Sequence, residues 1–190
     1  MKKSKKIVCL GDSLTQGYDI NTADCWVTLL NNKLDNYEVI NCGVSGDTTN
    51  GMLARFQAII KEIQPDIVLI MGGTNDLSVN LSNKNIISNL LAIVRQAKFH
   101  KITPVLGVIP PFYYEDSSMS ESIFINHKKY AKRIIKFQQK LISFAKSDNQ
   151  IYIDFSKNMT KDLFLKDGIH PSEKGNIIMK NNALEVLKNY

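Results

Sequence analysis

Arginine, cysteine and histidine are all scarce in this chain, and each scarcity removes a class of function. Arg55, Arg95 and Arg133 are the only arginines, so the bidentate forks that read phosphates and base edges are few. The formal net charge of +6 comes almost wholly from lysine, and a nucleic-acid partner is not expected. Cys9, Cys25 and Cys42 cannot all pair and show no C-x-x-C spacing. In or beside apolar segments such thiols pack as small hydrophobes, which fits a reducing cytoplasm. No stretch approaches the roughly 18 uninterrupted apolar residues of a membrane-spanning helix. The basic start, Met1 to Lys6, is like a signal-peptide n-region, but the apolar run Ile7 to Leu10 stops at Gly11-Asp12, short of the ~7–15 residues such a leader needs. A cytoplasmic chain without a cleaved leader is the expectation.

What is present is enough for a real core. With 44% hydrophobic and 22% charged residues over 190 positions, one domain over 1–190 is expected. Short β-branched runs alternate with stretches of helical period, the pattern of repeated β-α units on a parallel sheet. Five strands are predicted: Lys6 to Leu10, Glu38 to Asn41, Asp66 to Met71, Thr103 to Ile109 and Ile151 to Asp154. Each is nearly continuous in apolar residues, as doubly covered strands are. Helices are predicted from Ala23 to Leu34, Thr48 to Ile63, Asn83 to Phe99, Ser120 to Lys146 and Pro171 to Leu187. Pro171 suits a first helical turn, where no amide donor is needed. Right-handed crossovers make this an α/β fold, a three-layer α/β/α sandwich around a five-stranded parallel sheet of order 2-1-3-4-5.

In the fourth helix Lys128, Lys132, Lys136 and Lys140 fall four apart and form one stripe. Ile134, Phe137, Leu141 and Phe144 mark a separate, core-facing side. A solvated outer face is the ordinary reading of the stripe, and an anionic membrane or ligand the alternative.

Ligands of open parallel sheets bind beyond the carboxyl ends of the strands. Strand 1 is followed by Gly11-Asp12-Ser13-Leu14, strand 2 by Gly43-Val44-Ser45-Gly46-Asp47, and strand 3 by Gly72-Gly73-Thr74-Asn75-Asp76. Near the end of the chain stands Asp167-Gly168-Ile169-His170-Pro171. A serine hydroxyl attacks a carbonyl only when a base takes its proton, and histidine suits that task near neutral pH. Among three histidines, His100 sits at a lysine-flanked helix end and His127 in a basic helix. His170 alone has an acid three residues earlier in a short turn. Asp167 can then accept from one imidazole nitrogen and leave the other to face Ser13, although it can also serve as a helix cap. The oxyanion formed on attack needs preorganised donors. The Ser13 amide, the Gly46 amide and the Asn75 side-chain amide are the candidates, each beyond the end of one of strands 1, 2 and 3. Asp12 and Asp76 are expected to brace loops by accepting backbone amides.

On these four blocks the sequence resembles the GDSL esterase/lipase family, also called the SGNH hydrolases. Gly11-Asp12-Ser13-Leu14 resembles the nucleophile block, Ser45-Gly46-Asp47-Thr48 the glycine block, Gly73-Thr74-Asn75-Asp76 the asparagine block and Asp167-Gly168-Ile169-His170-Pro171 the acid–histidine block. The resemblance implies a flavodoxin-like sandwich, no metal or cofactor, and hydrolysis of a small-molecule acyl ester or thioester through an acyl-serine. Within the family the chain is most similar to small bacterial thioesterase/lysophospholipase-type enzymes and arylesterases. Candidate substrate-lining residues are Asp12, Leu77, Val79, Pro111 and Phe112, which stand near the nucleophile or follow strands 3 and 4.

Three alternatives remain at this level. One is an esterase removing acetyl groups from carbohydrate. Another is a non-catalytic module that binds an acyl or sugar ester, against which stands the joint presence of Ser13, Asn75 and His170. A thiol enzyme would have to use Cys42, the one cysteine near the rim. Ser45 lacks the G-x-S-x-G frame of an α/β-hydrolase elbow and reads as a decoy.

Overall fold

The computed structural model describes residues 5–114 and 126–188. Its centre is a five-stranded parallel sheet in the order β2-β1-β3-β4-β5, formed by β1 (Lys5–Gly11), β2 (Tyr37–Gly43), β3 (Ile67–Met71), β4 (Thr103–Val108) and β5 (Ile151–Asp154). Helices α1 (Ser13–Gln16), α2 (Trp26–Asn31), α3 (Thr49–Ile63), α4 (Thr74–Ser78), α5 (Asn83–Phe99), α6 (His127–Ser147) and α7 (Glu173–Leu187) fill the connections. Contacts join α2 with α7, and α3 with α5 and α5 with α6, so the helices form separate layers about the sheet. The α/β sandwich and the strand order anticipated from the alternating pattern are both present.

Burial of the strands follows their place in the sheet. All five residues of central β3 are buried, and β1 and β4 are buried over most of their length. In the edge strands β2 and β5 only Val39 and Ile153 are buried, a departure from the continuous burial expected of them. An edge strand has one flank open to water, so it has no need of an unbroken apolar run.

Helix starts follow the capping side chains. Thr48, Ser82, Asn126 and Ser172 each accept an amide from the first turn of the helix that follows, which satisfies donors that no intrahelical carbonyl reaches. Thus α5 occupies the span expected of it, and α3 begins one residue late because Thr48 is its cap. Two expectations need correction. The first predicted helix, Ala23 to Leu34, is shortened to Trp26–Asn31 behind a 3-10 turn at Thr22–Asp24. Its start is set from outside, since Asn176 Oδ1 on α7 accepts the Trp26 amide at 3.0 Å. Pro171 is not a first helical residue: it bridges antiparallel to Phe164, and Ser172 caps α7. The predicted stretch from 120 to 125 of the fourth helix lies outside the described residues.

Register brings the functional loops to one level. Gly11, the last residue of β1, lies opposite Gly43 of β2 and Met71 of β3. The segments carrying Ser13, Gly46 and Asn75 therefore leave the sheet side by side. Among the described residues, no helix is long and apolar enough to cross a membrane.

Candidate active site

Ser13 opens α1, and the helix is built to hold it. Asp12 is the N-cap, with Oδ1 accepting the Leu14 amide at 2.9 Å. Gly17 closes the helix at φ 88°. Ser13 is the first residue of this turn, so its own N–H has no intrahelical acceptor. The Trp26 indole N–H donates to the Leu14 carbonyl at 2.9 Å, pinning the turn to the α2/α7 layer.

The acid–histidine segment is a turn closed by the Phe164–Pro171 bridge. The Leu165 amide donates to the His170 carbonyl at 2.8 Å, and the Gly168 amide to the Leu165 carbonyl at 2.9 Å. Asp167 Oδ1 accepts the amides of Ile169 at 2.9 Å and His170 at 3.0 Å. Its other oxygen, Oδ2, lies 2.5 Å from His170 Nδ1. Burial pushes the Asp167 carboxyl up, but the His170 ring and the two amides outweigh it and hold it below its ordinary range. The capping alternative for Asp167 falls away, because Ser172 caps α7 and Asp167 serves its own turn.

Across 157 positions of sequence, His170 Nε2 stands 2.9 Å from Ser13 Oγ. With Nδ1 facing a carboxylate, the tautomer that leaves Nε2 free to accept the hydroxyl proton is the favoured one. The loop after β4 and the α2/α7 layer hold this approach. The Tyr113 amide on the loop after β4 donates to the Gly168 carbonyl at 2.9 Å, while Asn176 and Trp26 tie α7 to the Ser13 turn.

Gly46 and Asn75 lie on the neighbouring loops. Gly46 has φ 79°, and a Cβ there would meet no protein atom within 4 Å. Its glycine is demanded by that backbone angle and not by a crowding neighbour. The Asn75 amide uses one N–H on the Asp47 carbonyl at 2.9 Å, which orients the second N–H. Ser45 is no rival nucleophile, since both its amide and its hydroxyl donate to Gln16 Oε1. Cys42 is a free thiol at the end of β2, raised above its ordinary range by burial.

The groove assignments divide. Val79 is 69% exposed, and Pro111 is partly buried. Asp12 is a correction: it is 0% exposed and spends Oδ1 on the Leu14 amide, so it cannot line a groove. Leu77 is likewise 0% exposed, and Phe112 at 7% packs on Tyr130. On a helix, positions two apart face opposite ways, which is why Leu77 enters the core and Val79 leaves it.

Sequence reading missed three contributors. The Tyr18 ring lies 4.3 Å from the His170 ring, tilted by 32°, half exposed at the rim. Arg55 links Asp47 to the Gly11 carbonyl. Tyr130 donates to the Thr74 carbonyl at 3.0 Å, just before Asn75. Only the aromatic at 18, next to the Ser13 turn, left a local trace in the sequence. Among the described residues, no group of three or more His, Cys, Asp or Glu is arranged to hold a metal ion.

A parallel α/β sandwich with a hydroxyl, an imidazole and a carboxylate in line beyond its strand ends has the form of an ester hydrolase. The GDSL-like Lipase/Acylhydrolase family profile matches residues 9–177, and the chain belongs to that family. It is 37% identical to an arylesterase of Vibrio mimicus over 116 residues, 58% of this chain and 58% of that protein, so it spans under two thirds of that relative. It is 29% identical to the thioesterase 1/protease 1/lysophospholipase L1 of Escherichia coli strain K12 over 167 residues, 87% of this chain and 75% of the relative. The psychrotrophic esterase EstA of Pseudoalteromonas, in a structure inhibited by monoethylphosphonate, superimposes with a TM-score of 0.78 at 25% identity over 97% of each chain.

Proposed function

We propose that this enzyme cleaves a carboxylic ester or thioester (a lysophospholipid, acyl thioester, aryl or short-chain ester) by way of an acyl-serine. The observation that carries the reading is the 2.9 Å approach of His170 Nε2 to Ser13 Oγ. Ser13 Oγ attacks the acyl carbon while His170 takes its proton. The carbonyl electrons move to oxygen, which the Ser13 and Gly46 amides and the free N–H of Asn75 receive. Collapse of the tetrahedral species expels the leaving oxygen or sulfur, protonated by His170, and leaves the acyl group on Ser13. Water then repeats the sequence with His170 as base and frees the acid. Asp167 keeps the imidazole in the required tautomer and stabilises its charged form.

This substrate class is supported by the relatives, which are named an arylesterase and a thioesterase/lysophospholipase. Two measurements test the proposal. A chain-length series of p-nitrophenyl esters, run beside acyl-CoA and lysophospholipid, defines the leaving group and acyl length. A fluorophosphonate is expected to label wild type once and Ser13→Ala not at all. Equal labelling of both proteins, or binding of esters without turnover, refutes the assignment.

A further inference from the structure

Helix α6 carries seven basic residues and no acid over its 21 positions. That exceeds the formal net charge of +6 for the whole chain, so all other residues together sum to about one negative charge. The net positive charge of this protein is, to within one unit, the charge of one helix.

The helix is oriented by its apolar side. Tyr130, Ala131, Ile134, Phe137, Gln138, Leu141 and Ala145 are buried, which leaves Lys128, Lys129, Lys132, Lys136 and Lys140 exposed. Phe144, expected on the inner side, is only partly buried. Among the described residues none of these five lysines has a carboxylate partner. Lys128, Lys129, Lys132 and Lys136 line one open groove with Asn126 and Arg133.

This basic face is joined to the site. Arg133 donates to the Leu77 carbonyl at 2.5 Å, to Asn80 Oδ1 at 2.7 Å and to the Leu81 carbonyl at 2.7 Å. It therefore clamps α6 onto the end of α4, the helix on which Asn75 stands. A second groove, lined by Ser78, Asn80, Asn126, Lys129 and Arg133, runs between the two helices. Val79, between Ser78 and Asn80 in sequence, is 69% exposed, and Ile135 on α6 is 51% exposed. Unpaired lysines beside exposed aliphatic side chains are complementary to a surface with anionic headgroups over hydrocarbon.

We propose that the lysine face of α6 is a docking surface for anionic phospholipid bilayers, bringing the rim of the site against the lipid from which an acyl ester is taken. The purpose of docking rests on the hydrolase reading; the binding itself does not. Each lysine close to an anionic surface gives about a fivefold gain in partitioning, and salt screens that gain.

The test is co-sedimentation of the full chain with phosphatidylcholine vesicles, with and without phosphatidylglycerol. Wild type is expected to bind only the anionic vesicles and to be released by about 1 M salt, where the Debye length falls to about 3 Å. Joint substitution Lys128→Gln, Lys132→Gln, Lys136→Gln and Lys140→Gln is expected to weaken binding at least about a hundredfold. A control with Lys33, Lys61, Lys84 and Lys98 changed to Gln has the same net charge and is expected to bind within a few-fold of wild type. Equal loss in the two variants, equal binding to neutral vesicles, or competition by inorganic phosphate at constant ionic strength would overturn the proposal. Turnover of a soluble p-nitrophenyl ester is read in parallel. It is expected to be unchanged in both variants, and its loss in the α6 variant would place those lysines in the site instead. Absence of turnover in wild type would strike the hydrolase reading and leave the binding result standing.

Discussion

Arg55 Nε donates to Asp47 Oδ2 at 2.8 Å, and the same guanidinium reaches the Gly11 carbonyl through Nη2 at 3.0 Å. Asp47 in turn accepts the Asn75 side-chain amide on its main-chain oxygen. One cation on α3 thus ties the end of β1 to the loop whose Asp47 carbonyl accepts from Asn75. A Cβ at Gly51 would overlap Asp47 Oδ1, so that position must stay small for the pair to form. Lysine keeps the charge but not the fork. Arg55→Lys is expected to lower kcat by roughly 10–100-fold through misplacement of the donors, with KM nearly constant. A raised KM at unchanged kcat would contradict this reading.

Asn75 offers one N–H to Asp47 and has one left. If that second N–H meets the oxyanion, Asn75→Ala loses roughly 10²–10³ in kcat. Ser13→Ala and His170→Ala are expected to fall to background while keeping the near-ultraviolet circular dichroism of the folded chain. Near-wild-type turnover in any of the three would end the mechanism.

Gly46 stands at φ 79° with open space where a side chain would project. An L-residue pays roughly 1–2 kcal/mol to hold a left-handed conformation, so Gly46→Ala is expected to fold with a Tm a few degrees lower. Its activity is expected to fall much further, because the amide direction shifts. Thermal melts and steady-state kinetics on one preparation compare the two; full activity would remove Gly46 from the oxyanion site.

Asp12 is wholly buried, and burial pushes its carboxyl from an ordinary 3.8 to about 7. The Leu14 amide and the His170 charge oppose the rise, while Asp76 adds to it. The folded carboxyl keeps its proton to a higher pH than the unfolded one. Its contribution to stability is therefore full below about 3.8 and is lost as pH climbs to about 7. Asp12→Asn retains the Leu14 acceptor and cannot ionise. The Tm of the variant minus that of wild type is expected to increase across this window and level off above it. Parallel melting curves for the two proteins would show that Asp12 does not titrate there.

Local pattern was sufficient for much of this fold. The apolar runs Ile67 to Met71 and Ile7 to Leu10 read as covered strands, and the apolar spacing over Asn83–Phe99 matched α5 at both ends. The loop residue types also singled out Ser13, Gly46, Asn75, Asp167 and His170 as candidates, because reactive and turn-forming side chains stand out against apolar surroundings.

What period and residue type do not encode is the partner supplied from far away. The start of α2 is set by Asn176, 150 positions distant. The Arg55 clamp reaches 44 positions back to Gly11. Asp12 looked available for substrate until the fold enclosed it. The sequence by itself determined the alternation of strands and helices and the chemical kinds of group on the rim, since those depend on neighbours a few residues apart. Only tertiary structure decided that Ser13 and His170 meet, which side chains around them face solvent, and which cation braces the loops. Those outcomes depend on how the sheet order and the two helix layers bury surface across the whole chain.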